Sequence, residues 1–145
     1  MEATPLQRFA AFLGILRPEI LDQVPAHYTD DAEFRDPINH GKGPDQIRAI
    51  FEDFFRQIKE VKIEVSTVLG NERLGFVRWI ISYKLFGKRR QIDGVSHVKF
   101  APDGRVATQQ DFWDASHVVY GEFPFMGFIL RLLHKLVRVR PKKKR

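Results

Sequence analysis

Apolar positions follow two periods along this chain, and the period changes near residue 60. In the first part, apolar residues recur every three or four positions, as on one face of an α-helix. The first predicted helix ends at Pro18, and a short second one ends near Pro25. A long helix is predicted over 44–59, because Gly43 can cap its start and Pro44 suits its first position. Its apolar stripe comprises Ile47, Ile50, Phe51, Phe54, Phe55 and Ile58.

Beyond residue 60 the period becomes two, which is typical of strands with one buried face. Four strands are predicted there, over residues 61–69, 74–86, 90–100 and 105–113. Gly70-Asn71, Gly87-Lys88 and Pro102-Asp103-Gly104 are the predicted turns between them. A short strand over 32–36 precedes the long helix. Helices gathered early and strands late predict an α+β fold.

Composition narrows the chemistry that this chain can carry. With 145 residues it can bury a sizeable core, to which 13 Phe and 2 Trp contribute. Cysteine is absent, which excludes disulfides, thiolate metal sites and cysteine nucleophiles. Five His are scattered without metal-ligand spacing, so we expect no metal. The first residues lack the pattern of a secretory signal, and we expect a cytoplasmic protein.

The positive charge is concentrated at the C-terminus. The whole chain carries a net charge of +6, but residues 131–145 hold eight basic residues and no acidic one. Residues 1–130 therefore carry 16 bases and 18 acids. Because the body is mildly acidic, we do not expect nucleic acid as a partner. We divide the chain into a main domain, 1–116, and a C-terminal segment, 117–145.

One carboxylate stands where a strand meets a loop. Asp36 ends the short predicted strand, and Pro37 favours extended backbone for it. The run from Tyr28 to Pro37, the long helix, and the later runs 93–100 and 110–113 resemble the nuclear transport factor 2-like superfamily. The resemblance is to its SnoaL-like polyketide cyclase and ketosteroid isomerase branches, and it covers residues 5–115.

This resemblance implies a cone-shaped domain, in which N-terminal helices wrap a strongly curved antiparallel sheet around a pocket. Strand alternation groups the residues that share a face. By the resemblance, that face is concave and binds a hydrophobic small molecule, because few polar groups stand among aromatic and aliphatic ones. The expected pocket residues are Phe12, Trp79, Ile81, Tyr83, Ser96, Gln109 and Trp113, with Asp36 and Asp111 as its acids.

The resemblance also implies roles for the acids. Asp36 matches the general base of ketosteroid isomerases. However, Ser96 falls where their protonated Asp should be, and Phe12 falls near their Tyr, so the oxyanion donors are missing. We therefore expect cofactor-independent acid/base chemistry by Asp36 or Asp111, of isomerase, cyclase or hydrolase type. The alternatives are structural: Asp36 bonded to nearby backbone N–H groups, Asp111 paired with a basic residue, and the tryptophans in the core.

A non-catalytic module is the other functional class. Val68, Phe76 and Phe112 are out of phase with the pocket residues, so we expect them on the outer face of the sheet. Members of the superfamily commonly pair through such surfaces, which implies a homodimer. In this alternative the protein is a binding or assembly module.

The C-terminal segment predicts a basic amphipathic helix. Such a helix is typical of contact with an anionic membrane, here the inner face, or with a partner protein. The alternatives are that it packs on the main domain or on a second subunit. The expected contact residues are Phe125, Phe128, Arg131, Leu132, Lys135, Leu136 and Arg138, followed by the basic residues Lys142 to Arg145.

Overall fold

The computed structural model describes residues 1–139. The basic residues from Arg140 to Arg145 lie outside the described residues. The chain forms two compact units, Met1–Trp113 and the part that begins at Asp114.

The first unit opens with helices. Helix α1, Pro5–Gly14, starts at a capping box in which Thr4 Oγ1 accepts from Gln7 N at 3.2 Å and Thr4 N donates to Gln7 Oε1 at 2.9 Å. A 3₁₀ helix, Pro18–Gln23, and the short helix α2, Val24–His27, follow. The long predicted helix is α3, Gly43–Gln57.

Six strands form one sheet, in the spatial order β2-β1-β6-β5-β4-β3. Every neighbouring pair is antiparallel except β1 and β6, which run parallel. The curved sheet does not close, and the predicted α+β fold is confirmed. The strands are β1, Tyr28–Arg35; β2, His40–Lys42; β3, Lys59–Gly70; β4, Leu74–Leu85; β5, Lys88–Phe100; and β6, Val106–Trp113.

The inner face of the sheet is the one that α1 covers. A Cβ on Gly75 would overlap the Leu6 side chain, so the β4 face that carries Gly75 looks toward α1. Two and four residues further along β4, Val77 and Trp79 share this face and are 0% and 5% exposed. The buried core also contains Phe9, Phe12, Leu21, Val24, Tyr28, Phe34, Ile47, Val98 and Val106.

The structure corrects four details. The first strand begins at Tyr28 rather than residue 32, and the three-residue strand β2 was not predicted. The β4–β5 turn is Phe86-Gly87, both at positive φ, rather than Gly87-Lys88. The pairing of β3 with β4 shifts between Val65 and Thr67, so Val68 faces Val77 on the inner side of the sheet. Such an irregularity inverts the alternation beyond it, and the outer residue is Leu69.

The second unit is helical. It contains α4, Ala115–Val118, a 3₁₀ helix, Tyr120–Glu122, and α5, Pro124–Val137. Gly127 packs closely on the carbonyl oxygen of Gly121, which a Cβ would approach to 3.2 Å. Across the part of the chain that the structure describes, no helix has the length and apolar character needed to span a bilayer.

Candidate functional site

Strand register brings the predicted inner-face residues into adjacent rows. Ser96 lies directly between Val77 and Asp111, and Gly94 lies between Trp79 and Trp113 in the next row. Opposed residues of neighbouring strands point to the same side of a sheet. Ser96, Asp111 and Trp79 therefore share the helix-covered face, as strand alternation predicted.

Hydrogen bonds converge on Asp111 in the centre of this face. Ser96 Oγ–H donates to Asp111 Oδ1 at 2.6 Å, and Gln109 Nε2–H donates to the same oxygen at 3.0 Å. Behind these donors, Trp79 Nε1–H donates to Ser96 Oγ at 2.9 Å, and the Tyr28 hydroxyl donates to Gln109 Oε1 at 2.6 Å. When the carboxylate is ionised, both bonds to Asp111 are charge-assisted, and the bond from Ser96 is also short.

The other carboxylate oxygen is available. Within residues 1–139, Asp111 Oδ2 accepts no hydrogen bond. The Asp111 side chain as a whole is half-buried, whereas Ser96 and Gln109 are 0% and 2% exposed. One oxygen is thus fixed by the protein, and the other can meet a ligand.

This environment gives Asp111 an unusual acidity. Burial raises the pKa of Asp111 to about 7, because desolvation penalises the charged form. Hydrogen bonds from Ser96 and Gln109 act in the opposite direction, and the negative charge of Asp36 raises the pKa further. A carboxyl group with such a pKa can both accept and donate a proton near neutral pH.

A glycine allows Trp79 to reach Ser96. The indole ring of Trp79 lies over Gly94, where a Cβ would overlap three ring carbons of the indole. The ring can therefore lie low across β5, with its N–H directed at Ser96 Oγ. A side chain at position 94 would fill this space and move the indole of Trp79 away from Ser96.

Asp36 lies at a turn between β1 and β2. Its Oδ1 accepts from the backbone N–H groups of Ile38 at 2.8 Å and Asn39 at 2.6 Å, and its Oδ2 accepts from Asn39 Nδ2 at 3.1 Å. These contacts agree with the alternative given above, in which Asp36 is bonded to nearby backbone N–H groups. Its charge nevertheless acts on Asp111, so the two predicted acids belong to one electrostatic site.

Tyr28 belongs to the network although it was not predicted as a site residue. It is 0% exposed, and burial, followed by the charge of Asp111, raises the pKa of its hydroxyl well above the usual range. The parallel pairing of β1 with β6 brings it beside Gln109, 81 positions away in the sequence. Because the sequence predicted that this strand begins at residue 32, Tyr28 was not assigned to either face of the sheet.

The remaining predicted pocket residues surround the network at different depths. Phe12 is buried and packs edge-on against Tyr28, with ring centroids 6.5 Å apart. Ile81 and Tyr83 lie further along the face of β4 that carries Trp79, in the rows of Ile92 and Arg90. Trp113 is half-buried at the end of β6. Trp79 and Ser96 are thus the buried part of this face, and Asp111 and Trp113 are its half-buried part.

A separate cleft of about 140 Å³ lies elsewhere on the first unit, between the start of α1 and the β5–β6 turn. Arg8, His27 and Arg105 line it together with Asp103. Burial lowers the pKa of His27, and the charge of Arg8 adds to this effect. Because Arg105 is held by Asp103 at 2.8 Å, the charges here are partly satisfied within the cleft.

Metal ligands do not gather in the described residues. No group of three His, Asp or Glu side chains among residues 1–139 is close enough to hold an ion. His97 follows Ser96 on β5, so it lies on the outer face, where it stacks on Phe76 at 4.6 Å between ring centroids. His117 and His134 face one another in the second unit, with centroids 5.7 Å apart.

A curved, unclosed sheet with helices over one face defines the class of the protein: an α+β cone. The model of the SnoaL-like domain matches residues 9–109, and the chain belongs to this family. The family resemblance inferred from the sequence is thus confirmed, and the fold is one that binds small molecules. No curated protein matches the chain.

Solved structures share the fold at low sequence identity. An LEH-like epoxide hydrolase of M. tuberculosis is 16% identical with a TM-score of 0.63, over 92% of this chain and 95% of its own. A protein with a ketosteroid isomerase-like fold from Catenulispora acidiphila DSM 44928, in complex with trimethylamine, is 13% identical with a TM-score of 0.66, over 82% and 92%. An NTF2-like protein of unknown function from Exiguobacterium sp. 255-15 is 17% identical with a TM-score of 0.65, over 77% and 98%.

Proposed function

We propose that the protein binds a hydrophobic small molecule against its inner sheet face and transfers a proton to or from it through Asp111. The observation that carries this proposal is the asymmetry of that carboxyl group. Oδ1 accepts from Ser96 and Gln109, Oδ2 accepts no hydrogen bond from residues 1–139, and the pKa is raised to about 7. A fixed group that is half-ionised near neutral pH is suited to general acid/base catalysis.

The same contacts narrow the ligand class. The nearby hydroxyl of Ser96 and the indole N–H of Trp79 already donate within the protein. Within the described hydrogen-bond network, the polar atom left for a ligand is Asp111 Oδ2, beside aromatic and aliphatic side chains. This favours a mainly apolar molecule with one reacting polar group, such as a carbonyl or an ether oxygen. Isomerase, cyclase and hydrolase reactions at such a group each include a proton transfer.

Asp36 has a supporting role in this proposal. Its oxygens are occupied by the turn to Asn39, so it acts on Asp111 through its charge rather than as the main base. No metal or organic cofactor enters the proposed chemistry.

Two small probes test binding and reaction class. We expect 2-cyclohexenone, a carbonyl probe, or cyclohexene oxide, an ether probe, to shift the indole N–H signals of Trp113 and Trp79 in a ¹H–¹⁵N spectrum. Turnover of the active probe should follow an ionisation near pH 7. Asp111→Asn should reduce that turnover by about 100-fold or more while the probe still binds.

The matched control is Asp53→Asn, which changes an exposed carboxylate on α3. It should leave turnover unchanged. Turnover at the wild-type rate in the Asp111→Asn protein would contradict the proposal. So would indole N–H signals that do not shift with either probe at millimolar concentration.

The alternative function is a non-catalytic module held at a membrane surface, and α5 favours it. Phe125, Phe128, Leu132 and Leu136 form one stripe along this helix, and they are 75%, 59%, 51% and 74% exposed. Basic residues, including Arg131 and Lys135, lie beside the stripe. A helix of this kind inserts its apolar side while its cations attract anionic headgroups.

Vesicle sedimentation separates this alternative from a packed helix. We expect the full chain to sediment with phosphatidylserine vesicles, less with phosphatidylcholine, and less again as salt rises. Arg131→Glu/Lys135→Glu should abolish sedimentation. Arg17→Glu/Arg73→Glu, which changes two exposed cations of the first unit, should retain most of it. A full chain that stays in solution with anionic vesicles at low salt would refute membrane binding.

A further inference from the structure

The two groups that donate to Asp111 are each held from behind by a buried donor. Trp79 Nε1–H donates to Ser96 Oγ, and the Tyr28 hydroxyl donates to Gln109 Oε1. Because an indole N–H can only donate, Ser96 keeps its own hydrogen for Asp111. The Tyr28 contact acts on an amide, which has a donor end and an acceptor end.

The amide of Gln109 has two possible orientations. In the structure its nitrogen faces Asp111 Oδ1 at 3.0 Å and its oxygen faces the Tyr28 hydroxyl at 2.6 Å. Rotated by half a turn, the amide would set its oxygen against the carboxylate oxygen. It would also remove the acceptor of the Tyr28 hydroxyl hydrogen. Since Tyr28 is 0% exposed, water could not replace that acceptor, and a buried donor left unpaired is unfavourable.

We propose that Tyr28 is a positioning residue for Asp111, whose hydroxyl holds the Gln109 amide in the orientation that donates to the carboxylate. Tyr28 does not touch the ligand in this scheme. It acts through Gln109 and keeps Oδ1 occupied, so that Oδ2 is the oxygen that reacts. The catalytic use of this arrangement rests on the proposed function of Asp111, whereas the arrangement itself can be measured in the protein alone.

Other ionisable groups near Asp111 remain the same when Tyr28 is changed. Asp36, at the end of β1, contributes its negative charge. On the inner face of β4 and β5, Tyr83 and Arg90 oppose each other three rows from Ser96. A change in the ionisation of Asp111 on removal of the Tyr28 hydroxyl is therefore assigned to the amide.

The experiment is a carboxyl ¹³C NMR titration of Asp111 in five proteins: the wild type, two single variants of the network, their combination and a control variant. We expect Tyr28→Phe to raise the pKa of Asp111 by about 0.3 to 1 unit, because the freed amide presents its oxygen for part of the time. Gln109→Leu should raise the pKa at least as much. In the Gln109→Leu background, Tyr28→Phe should add nothing, because Tyr28 acts through the amide.

Ile47→Val is the control for a general loss of core packing, since Ile47 is 0% exposed in α3 and lies outside the hydrogen-bond network. It should lower stability without moving the pKa of Asp111. If Tyr28→Phe fails to fold, the Gln109→Leu titration and Gln109 side-chain amide exchange in the wild type still decide the matter. An unchanged pKa in Tyr28→Phe or Gln109→Leu, or rapid wild-type amide exchange, overturns the positioning role. A wild-type pKa near 4 would instead overturn the proposed function of Asp111.

Discussion

At the scale of single residues, the acidity of Asp111 is a balance of opposing contributions. Desolvation and the charge of Asp36 favour the protonated form, while donors from Ser96 and Gln109 favour the ionised form. The balance leaves the group near half-ionisation at neutral pH. Changes at its neighbours should therefore shift the pKa in directions set by which form each neighbour favours.

Ser96 and Asp36 should give shifts of opposite sign. Ser96→Ala removes a donor to the carboxylate at 2.6 Å, so the pKa of Asp111 should rise above 7. Asp36→Asn removes a like charge, so that pKa should fall. Carboxyl ¹³C titration of Asp111 measures both. Shifts of the same sign would contradict the electrostatic account of the site.

The free energy of unfolding should also depend on pH because of the raised pKa of Asp111. The pKa of Asp111 is about 7 in the folded protein and about 3.9 when unfolded. Below pH 4 both states hold the proton, and between pH 4 and 7 only the folded state does. The contribution of Asp111 to stability is thus full below pH 4 and is lost as pH rises through 7. Asp111→Asn should flatten this part of the dependence in urea unfolding between pH 4.5 and 8, and identical slopes would argue against a raised pKa.

At the scale of elements, the β4–β5 hairpin contains a residue poorly suited to its backbone. Phe86 and Gly87 have φ values of 50° and 73°, so both turn residues lie in the left-handed region. Hairpins of this form favour Asn-Gly, because an L side chain with a bulky ring is strained there. The Phe86 side chain is 84% exposed and packs little in return.

Phe86→Asn should stabilise the protein. We expect a gain of about 0.5 to 1 kcal/mol in the free energy of unfolding, because Asn tolerates positive φ. Thermal unfolding measures the gain. Phe86→Ala removes the exposed ring without favouring the turn, and it should not reproduce the effect. Equal stabilities of the Asn and Ala proteins would show that the backbone is not strained.

Alternation along single strands predicted much of this site, and long-range pairing explains what it missed. Trp79, Ser96 and Asp111 lie in long strands of regular alternation, so their shared face followed from the sequence. Tyr28 joins them only through a parallel pairing that no local pattern encodes. Val68 was wrongly placed on the outer face, because the register shift in β3 leaves no mark on the alternation of residue types.

At the scale of the whole molecule, the outer sheet face offers an apolar surface. Leu69 and Phe76 lie side by side on β3 and β4, with Phe112 on β6, and they are 69%, 43% and 53% exposed. His97 stacks on Phe76 in the same area. Exposed apolar residues grouped on one sheet face are typical of protein interfaces.

We expect a second copy of the chain to cover this face. Light scattering at tens of micromolar should then report twice the chain mass of 16.9 kDa. Phe76→Glu/Phe112→Glu should give the single-chain mass, whereas Phe86→Glu, at the hairpin tip, should remain dimeric. A wild-type protein with only the single-chain mass would refute the homodimer.

The parallel contact between β1 and β6 has a consequence for the order in which the site is assembled. Strands β3 to β6 are consecutive and joined by short turns, so they can pair early at little entropic cost. The contact between Tyr28 and Gln109 spans 81 positions and closes the longest loop of the network. We therefore expect Ser96 and Asp111 to meet in a folding intermediate or transition state before Tyr28 arrives. The complete hydrogen-bond network would then form late in folding, and it would not be part of the folding nucleus.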